Sequence, residues 1–161
     1  MTLHYIDGDA TYPERTTPNR SNVIAHVCND IGAWGRGFVM AISTRFPQAR
    51  TSYLRAIREG GKLGDLYVFG REDWGCIVVA HMIAQKGVGR GKRRVQYGPL
   101  RQCLGLLADY AKAQHTHPAI HMPRIGCGLG GGSWEEIGPI VEDRLKGLDV
   151  YVYGRKRGGV R

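Results

Sequence analysis

Side chains able to do chemistry gather at two turns of this chain, each following a short apolar run. The first turn, Asn29-Asp30-Ile31-Gly32-Ala33-Trp34-Gly35-Arg36-Gly37, opens on a carboxamide and a carboxylate. Asp30 could orient or deprotonate a water, and Asn29 could hold a hydroxyl of a bound molecule. Asn and Asp also shape turns through their own backbone, and the residues alone leave both roles open. The second turn lies in His121-Met122-Pro123-Arg124-Ile125-Gly126-Cys127-Gly128-Leu129-Gly130-Gly131-Gly132-Ser133-Trp134, with five glycines between Gly126 and Gly132. Glycines reach φ > 0 and carry no Cβ, so successive amides can close on an anion. An extended run, Ala119 to Pro123, precedes this turn, and Ser133 with Glu136 marks a capped helix start after it. Strand, glycine turn and capped helix form the arrangement by which α/β proteins hold phosphates. Glu135 and Glu136 already complement the positive helix end, so the loop amides from Gly126 to Gly132 are expected to grip the anion. A solvated surface loop is the alternative on composition alone.

Other reactive groups narrow the chemistry. Cys28, Cys76, Cys103 and Cys127 are scattered without a C-x-x-C pair, and three sit in apolar runs. Reduced thiols in a core fit that pattern better than a disulfide framework. Cys127 is a conceivable nucleophile. His115, His117 and His121 lie close together, yet no cysteine or carboxylate completes a familiar ligand spacing, so no metal is expected. The balance of 23 basic against 14 acidic residues gives a formal charge of +9. Lys86, Arg90, Lys92, Arg93 and Arg94 crowd one glycine-bearing segment, and Arg155, Lys156, Arg157 and Arg161 end the sequence. Such clusters suit an anionic partner, from nucleotide to nucleic acid or an acidic protein segment, although a solvated basic tail is at least as good a reading of the C-terminal group.

The elements that position these groups follow from periodicity. Leu3–Ile6, Val23–Cys28, Leu66–Phe69, Cys76–Met82, Ala119–Pro123 and Val150–Tyr153 read as strands, the third and fourth as an antiparallel hairpin. Phe38, Val39, Ile42 and Phe46 predict a helix that Pro47 ends or restarts, and Tyr53, Leu54 and Ile57 continue the stripe. Tyr97, Leu100, Cys103, Leu104, Leu107 and Ala111 mark the buried face of a long helix, and Ile137, Ile140, Val141 and Leu145 that of the last. Ala84 to Arg94 reads as a loop. Residues 1–161 are expected to form one α/β domain with a mixed sheet, residues 154–161 being a basic tail. Neither a membrane span nor a signal-peptide pattern occurs, so a cytoplasmic monomer with no membrane partner is expected. If the strands before the two turns are neighbours, both turns open into one crevice.

Gly8-Asp9, the Asn29-to-Gly37 turn and Met122-Pro123-Arg124-Ile125-Gly126-Cys127-Gly128-Leu129 together resemble the macrodomain family. The likeness is to the branch holding the terminal ADP-ribose protein glycohydrolase and the yeast-type ADP-ribose-1″-phosphate phosphatase, and it spans nearly the whole chain. It implies a three-layer α/β/α sandwich and an ADP-ribose site needing no other cofactor. In that site Asp9 would accept from the adenine amino group, Ala10 would offer its backbone, and Tyr153 would sit against the adenine. Asn29, Trp34, Gly35, Arg36, Gly37 and Phe38 would border the distal ribose. Pro123, Arg124 and Ile125 would lead into Gly126, Cys127, Gly128, Leu129, Gly130 and Gly131 around the diphosphate. The alternatives are that Asp9 is a turn former and Tyr153 a sheet-end aromatic, but a nucleotide needs all of these groups converging in one cleft, which favours the ligand roles. The lysine and aspartate of the resembled glycohydrolase correspond to Gln85 and Gly130, neither of which is a nucleophile or a base. Asn29, Asp30 and Gln85 therefore remain as catalytic candidates. The activity expected is hydrolysis of ADP-ribosyl linkages at ribose C1″ on modified macromolecules. The alternatives are the 1″-phosphatase and a non-catalytic ADP-ribose-binding module.

Overall fold

The apolar runs become strands and the periodic stretches become helices. Their order is β1 (Thr2–Asp7), β2 (Asn22–Asn29), α1 (Phe38–Arg45), α2 (Gln48–Arg58), β3 (Leu66–Gly70), β4 (Ile77–Gln85), α3 (Tyr97–Ala113), β5 (Ala119–Pro123), α4 (Trp134–Arg144) and β6 (Asp149–Gly154). The structure, a computed structural model, describes residues 2–154. The basic cluster Arg155, Lys156, Arg157 and Arg161 lies outside the described residues.

One six-stranded sheet runs in the order β1-β6-β5-β2-β4-β3. Among the described residues every strand-to-strand pairing is parallel except β3 with β4, the expected hairpin. β2 is buried along almost its whole length because helices cover both sheet faces. Ile24 and Cys28 pack with Ile42, Phe46, Ala49 and Tyr53 of the α1–α2 layer. Val23 and Ala25, pointing the other way, pack with Leu100, Leu104, Leu107, Ile137 and Val141 of the α3–α4 layer. A strand's two-residue period thus builds a three-layer sandwich from one central strand. Pro47 separates α1 from α2 as the N-cap of the second helix.

Two details differ from the sequence expectation. β4 continues to Gln85, and Val95 returns to pair with it in antiparallel fashion, so the stretch after Ala84 is a narrow hairpin-like excursion rather than an open loop. The Gln96 amide, donating to the Ala84 carbonyl at 2.8 Å, closes its base. Tyr97, expected on the buried face of α3, is only half-buried against the core, and its hydroxyl donates to Glu136 at 3.1 Å.

His121 serves the core. Its Nε2 lies 2.9 Å from Asn22 Oδ1, an oxygen that can only accept, so Nε2 carries the hydrogen. Nδ1 then accepts from the Tyr153 hydroxyl at 2.8 Å. Burial, together with nearby Arg20 and against the pull of Glu14, pushes the imidazole pKa down to about 4. A base with a lowered folded pKa binds fewer protons folded than unfolded. Its contribution to stability is therefore complete above the ordinary value of about 6.5 and is lost as pH falls toward about 4. Urea unfolding should show stability falling by on the order of 3 kcal/mol from this group across that window. His26 and His81, also buried with lowered pKa, add to the same slope. His121→Gln should give a shallower dependence, and a wild type equally stable at both ends of the window would contradict the assignment.

Candidate functional site

β2 and β5 are parallel neighbours, pairing Asn22 with Ala119 and Ile24 with His121. Their following turns leave the same sheet edge and meet. A Cβ at Gly37, whose φ is +81°, would stand 3.0 Å from Leu129 Cδ1. Glycine suits that position by its backbone conformation, φ +81° with ψ −149°, while the exposed Leu129 side chain could give way.

The first turn is built by Asn29. Its Oδ1 accepts from the amides of Ile31 and Ala33, each at 3.0 Å, and from the Tyr53 hydroxyl at 2.8 Å. Its Nδ2 donates to the Ala33 carbonyl at 2.7 Å. With only 7% of the residue exposed, Asn29 acts on the turn itself. Trp34 is likewise a core residue: its indole donates to Ser43 Oγ at 2.7 Å, and its ring packs on His26, His81 and Tyr53. Gly35, Arg36 and Gly37 are exposed, and Phe38 is half-buried. Gly37 caps α1 with no side-chain hydrogen bond, and no acidic residue stands in the first turn of that helix. The positive amide end of α1 is thus uncompensated where it meets Leu129. Sequence reasoning, drawn to α4, overlooked it.

The glycine turn is less open than its composition suggests. The amides of Cys127, Gly130, Gly131 and Gly132 donate to the carbonyls of Arg124, Cys127, Gly128 and Gly126. Those of Gly126, Gly128 and Leu129 have no acceptor among the described residues. The expected grip by the whole run from Gly126 to Gly132 therefore narrows to three amides. Ile125 and Gly130 are buried beneath the turn, Pro123 and Cys127 are partly covered, and Arg124, Gly128, Leu129 and Gly131 are exposed. Burial pushes the Cys127 thiol pKa up, only partly offset by Arg124, which weighs against Cys127 as a nucleophile. At α4, Ser133 Oγ accepts from the Glu136 amide at 3.3 Å. The Glu136 carboxylate instead accepts from the hydroxyls of Ser133 and Tyr97, giving half of the expected capping box.

The basic segment joins both turns. The Gly130 carbonyl accepts from the amides of Arg94 at 2.8 Å and Val95 at 3.0 Å. On the other side Gly87 donates its amide to Asp30 Oδ1 at 2.8 Å, and the Asp30 amide donates to the Gln85 carbonyl at 3.0 Å. Asp30 Oδ2 has no partner among the described residues. Gln85 Nε2 donates to the Gly87 carbonyl at 3.1 Å, so its carboxamide braces the segment. A cleft of about 480 Å³ results, lined by Asp30, Ile31, Lys86, Gly87, Lys92, Arg93, Arg94 and Gln96. Arg93 also lies over the Tyr97 ring, 4.1 Å from its centroid. Arg90 is exposed and lies outside the cleft lining. The contact of Asp30 with Gly87 spans 57 residues and leaves no local sequence signal.

At the end of β1, Asp9 forms an Asx turn: its Oδ1 accepts from the Thr11 amide at 2.9 Å and hydroxyl at 2.7 Å. Asp9 is exposed, its Oδ2 unpartnered among the described residues, while Ala10 is buried. Tyr153 is only 5% exposed. Its ring packs beneath Gly8 and its hydroxyl lies 2.8 Å from both His121 and Thr16. Tyr153 thus supports the first loop from below and offers no open face for stacking, contrary to the sequence expectation. Sequence reasoning also missed Tyr53, which fixes Asn29, and a buried group of His26, Cys28 and His81. The H-x-C spacing on one strand was the available signal for that group.

The Macro domain family matches residues 25–141, from β2 through most of α4. The chain belongs to this family. A solved macrodomain protein from Streptomyces coelicolor is 36% identical, with a TM-score of 0.80 over 96% of this chain and 99% of that one. An ADP-ribose 1″-phosphate phosphatase from Lodderomyces elongisporus is 27% identical over 95% of this chain and 98% of its own length. The mouse chromodomain-helicase-DNA-binding protein 1-like is 29% identical over 99% of this chain, which spans only 18% of that protein.

The glycines of this macrodomain are not interchangeable. A Cβ at Gly126, where φ is +74°, would stand 2.8 Å from Ile137 Cδ1 and 2.9 Å from Val95 Cγ2, whereas one at Gly35 would meet nothing within 4 Å. Gly126→Ala should cost about 2–4 kcal/mol of stability in urea titrations and Gly35→Ala under about 0.5 kcal/mol. Equal effects would show that the turn does not rest on the core as described.

Proposed function

We propose that this macrodomain binds ADP-ribose across the two turns and hydrolyses ADP-ribosyl linkages at ribose C1″. The carriers would be acidic side chains or nucleic acid. The observation carrying this reading is the position of Asp30: a carboxylate fixed by the Gly87 amide at the mouth of a cleft rich in lysine and arginine. In this reading the diphosphate lies between the amides of Gly126, Gly128 and Leu129 and the uncapped start of α1. Asp9 Oδ2 accepts from the adenine amino group. The distal ribose then reaches Asp30, whose Oδ2 takes a proton from water as the water oxygen bonds to C1″. The bond from C1″ to the carrier breaks at the same carbon, and a carboxylate carrier departs with its electron pair without needing a proton. Gln85 contributes by bracing Gly87, and Asn29 by holding the turn that carries Asp30. No lysine or aspartate at positions 85 and 130 is required by this route.

A second reading, phosphatase action on ADP-ribose 1″-phosphate, draws support from the Lodderomyces elongisporus relative, matched over 98% of its length. The same cations would hold the terminal phosphate while water attacks phosphorus. A panel of Glu-, Ser-, Arg- and nucleobase-linked substrates with the 1″-phosphate, scored for free ADP-ribose, separates the readings. Asp30→Asn keeps an acceptor for Gly87 but cannot take a proton. It should lower turnover by about 10²-fold or more and leave ADP-ribose affinity by calorimetry nearly unchanged. Full activity in that variant would sink the role of Asp30.

The cations make a second prediction. Cleavage of nucleic-acid-linked substrate below saturation should fall steeply with salt, through counterion release, while binding of free ADP-ribose falls less. Neutralising Lys86, Lys92, Arg93 and Arg94 together should flatten that slope. An unchanged slope would make the segment a solvated surface.

A further inference from the structure

Strand register brings three metal-ligating side chains together in the core beneath the first turn. His26 on β2 pairs in register with His81 on β4, and Cys28 follows His26 by two residues on the same face. His26 Nε2 lies 2.7 Å from His81 Nδ1. Cys28 Sγ lies 3.5 Å from His26 Nε2 and 3.9 Å from His81 Nδ1. Exposure is 1%, 4% and 0% for residues 26, 28 and 81, and the rings of Trp34, Phe38 and Tyr53 wall the group. Beyond the three, Ser52 Oγ sits 2.8 Å from His81 Nε2 and donates to the Ala49 carbonyl at 2.8 Å. A hydroxyl committed to that carbonyl can only accept from the ring, so His81 Nε2 carries the hydrogen and Nδ1 is bare. His26 Nε2–H then donates to it. The bare Nδ1 of a histidine whose other nitrogen is anchored outward is how protein metal ligands are prepared.

We propose that His26, Cys28 and His81 bind a soft monovalent d10 cation of the copper(I) class. Ligand atoms at about 2.0–2.1 Å (nitrogen) and 2.3 Å (sulfur) from one ion stand roughly 3.3–3.5 Å and 3.6–3.8 Å from each other. The distances of Sγ to His26 Nε2 and His81 Nδ1 bracket that spacing, but Sγ also lies 3.7 Å from His26 Nδ1 and so stands over that ring; the His26 ring must turn its Nε2 toward the sulfur, and the nitrogen pair must open by roughly 0.7 Å. Two imidazoles and a thiolate are donors that a soft ion prefers. Charge selects among soft ions. Copper(I) replaces the thiol proton, which leaves to solvent, while the His26 hydrogen moves from Nε2 to Nδ1, so both rings stay neutral and the site stays uncharged. Zinc(II) on the same ligands would leave a buried positive charge, and the described residues add no fourth histidine, cysteine or carboxylate to the group. The ion would sit directly beneath Trp34 and stiffen the first turn through it.

The test is an anaerobic titration of the full reduced chain with copper(I) buffered by bicinchoninate, run on native protein and on protein refolded with the ion. One equivalent per chain is expected, with release of one proton and a thiolate-to-copper absorption band that needs no variant to interpret. The exposed Cys76, replaced in Cys76→Ser, should not matter, whereas Cys28→Ser and His81→Gln should abolish uptake. Uptake that survives Cys28→Ser, absence of uptake in both preparations, or preference for zinc(II) would each overturn the proposal.

Discussion

The parallel pairing of β2 with β4 on one side and β5 on the other is the constraint from which the rest follows. Parallel strands must be joined by crossovers, so all three chain segments leaving these strands emerge at one sheet edge. There they bind each other through backbone. The segment after β4 gives the Gly87 amide to Asp30 after β2, and gives the Arg94 and Val95 amides to Gly130 after β5. Leu129 closes the remaining side over Gly37. None of the three is an independent loop, and a change in one is felt by the others.

That linkage bears on electrostatics. Lys86, Lys92, Arg93 and Arg94 line the cleft that holds Asp30, so the carboxylate works inside a field of opposite sign. An anionic group entering there would satisfy cations that otherwise repel one another, and would do so beside the hydrogen bond that orients Asp30. In the proposed reaction, carrier recognition and placement of the base would thus share one stretch of backbone.

Much of the fold was legible because its signals are local. The apolar runs Val23–Cys28 and Ala119–Pro123 are short, bounded by turn residues and buried on both faces, and the 3.6-residue stripe of Leu100, Leu104, Leu107 and Ala111 has one reading. The crevice was inferable once the strands before the two turns were taken as neighbours. What stayed hidden depends on contacts between distant residues or on which partner a polar group chooses. Asn29 looked available for chemistry, yet its own turn and Tyr53 occupy its carboxamide. Tyr153 was placed correctly on its strand, but sequence could not tell that His121 and Thr16 hold its hydroxyl inward. The amides of the glycine turn looked equivalent, and internal hydrogen bonds divide them. The uncapped start of α1 drew no notice because the missing cap is an absence in sequence, whereas Ser133 and Glu136 advertise theirs.

An amide-resolved NMR titration with ADP-ribose addresses the shared crevice most directly. The largest shifts are expected at Gly126, Gly128 and Leu129, at Gly35 through Val39, and around Asp9. The opposite end of the sheet offers a second cleft, of about 310 Å³, lined by Arg20, Lys112, His117 and Asp149. Largest shifts at Arg20 and His117, with the two turns unmoved, would contradict a nucleotide site built from the ends of β2 and β5.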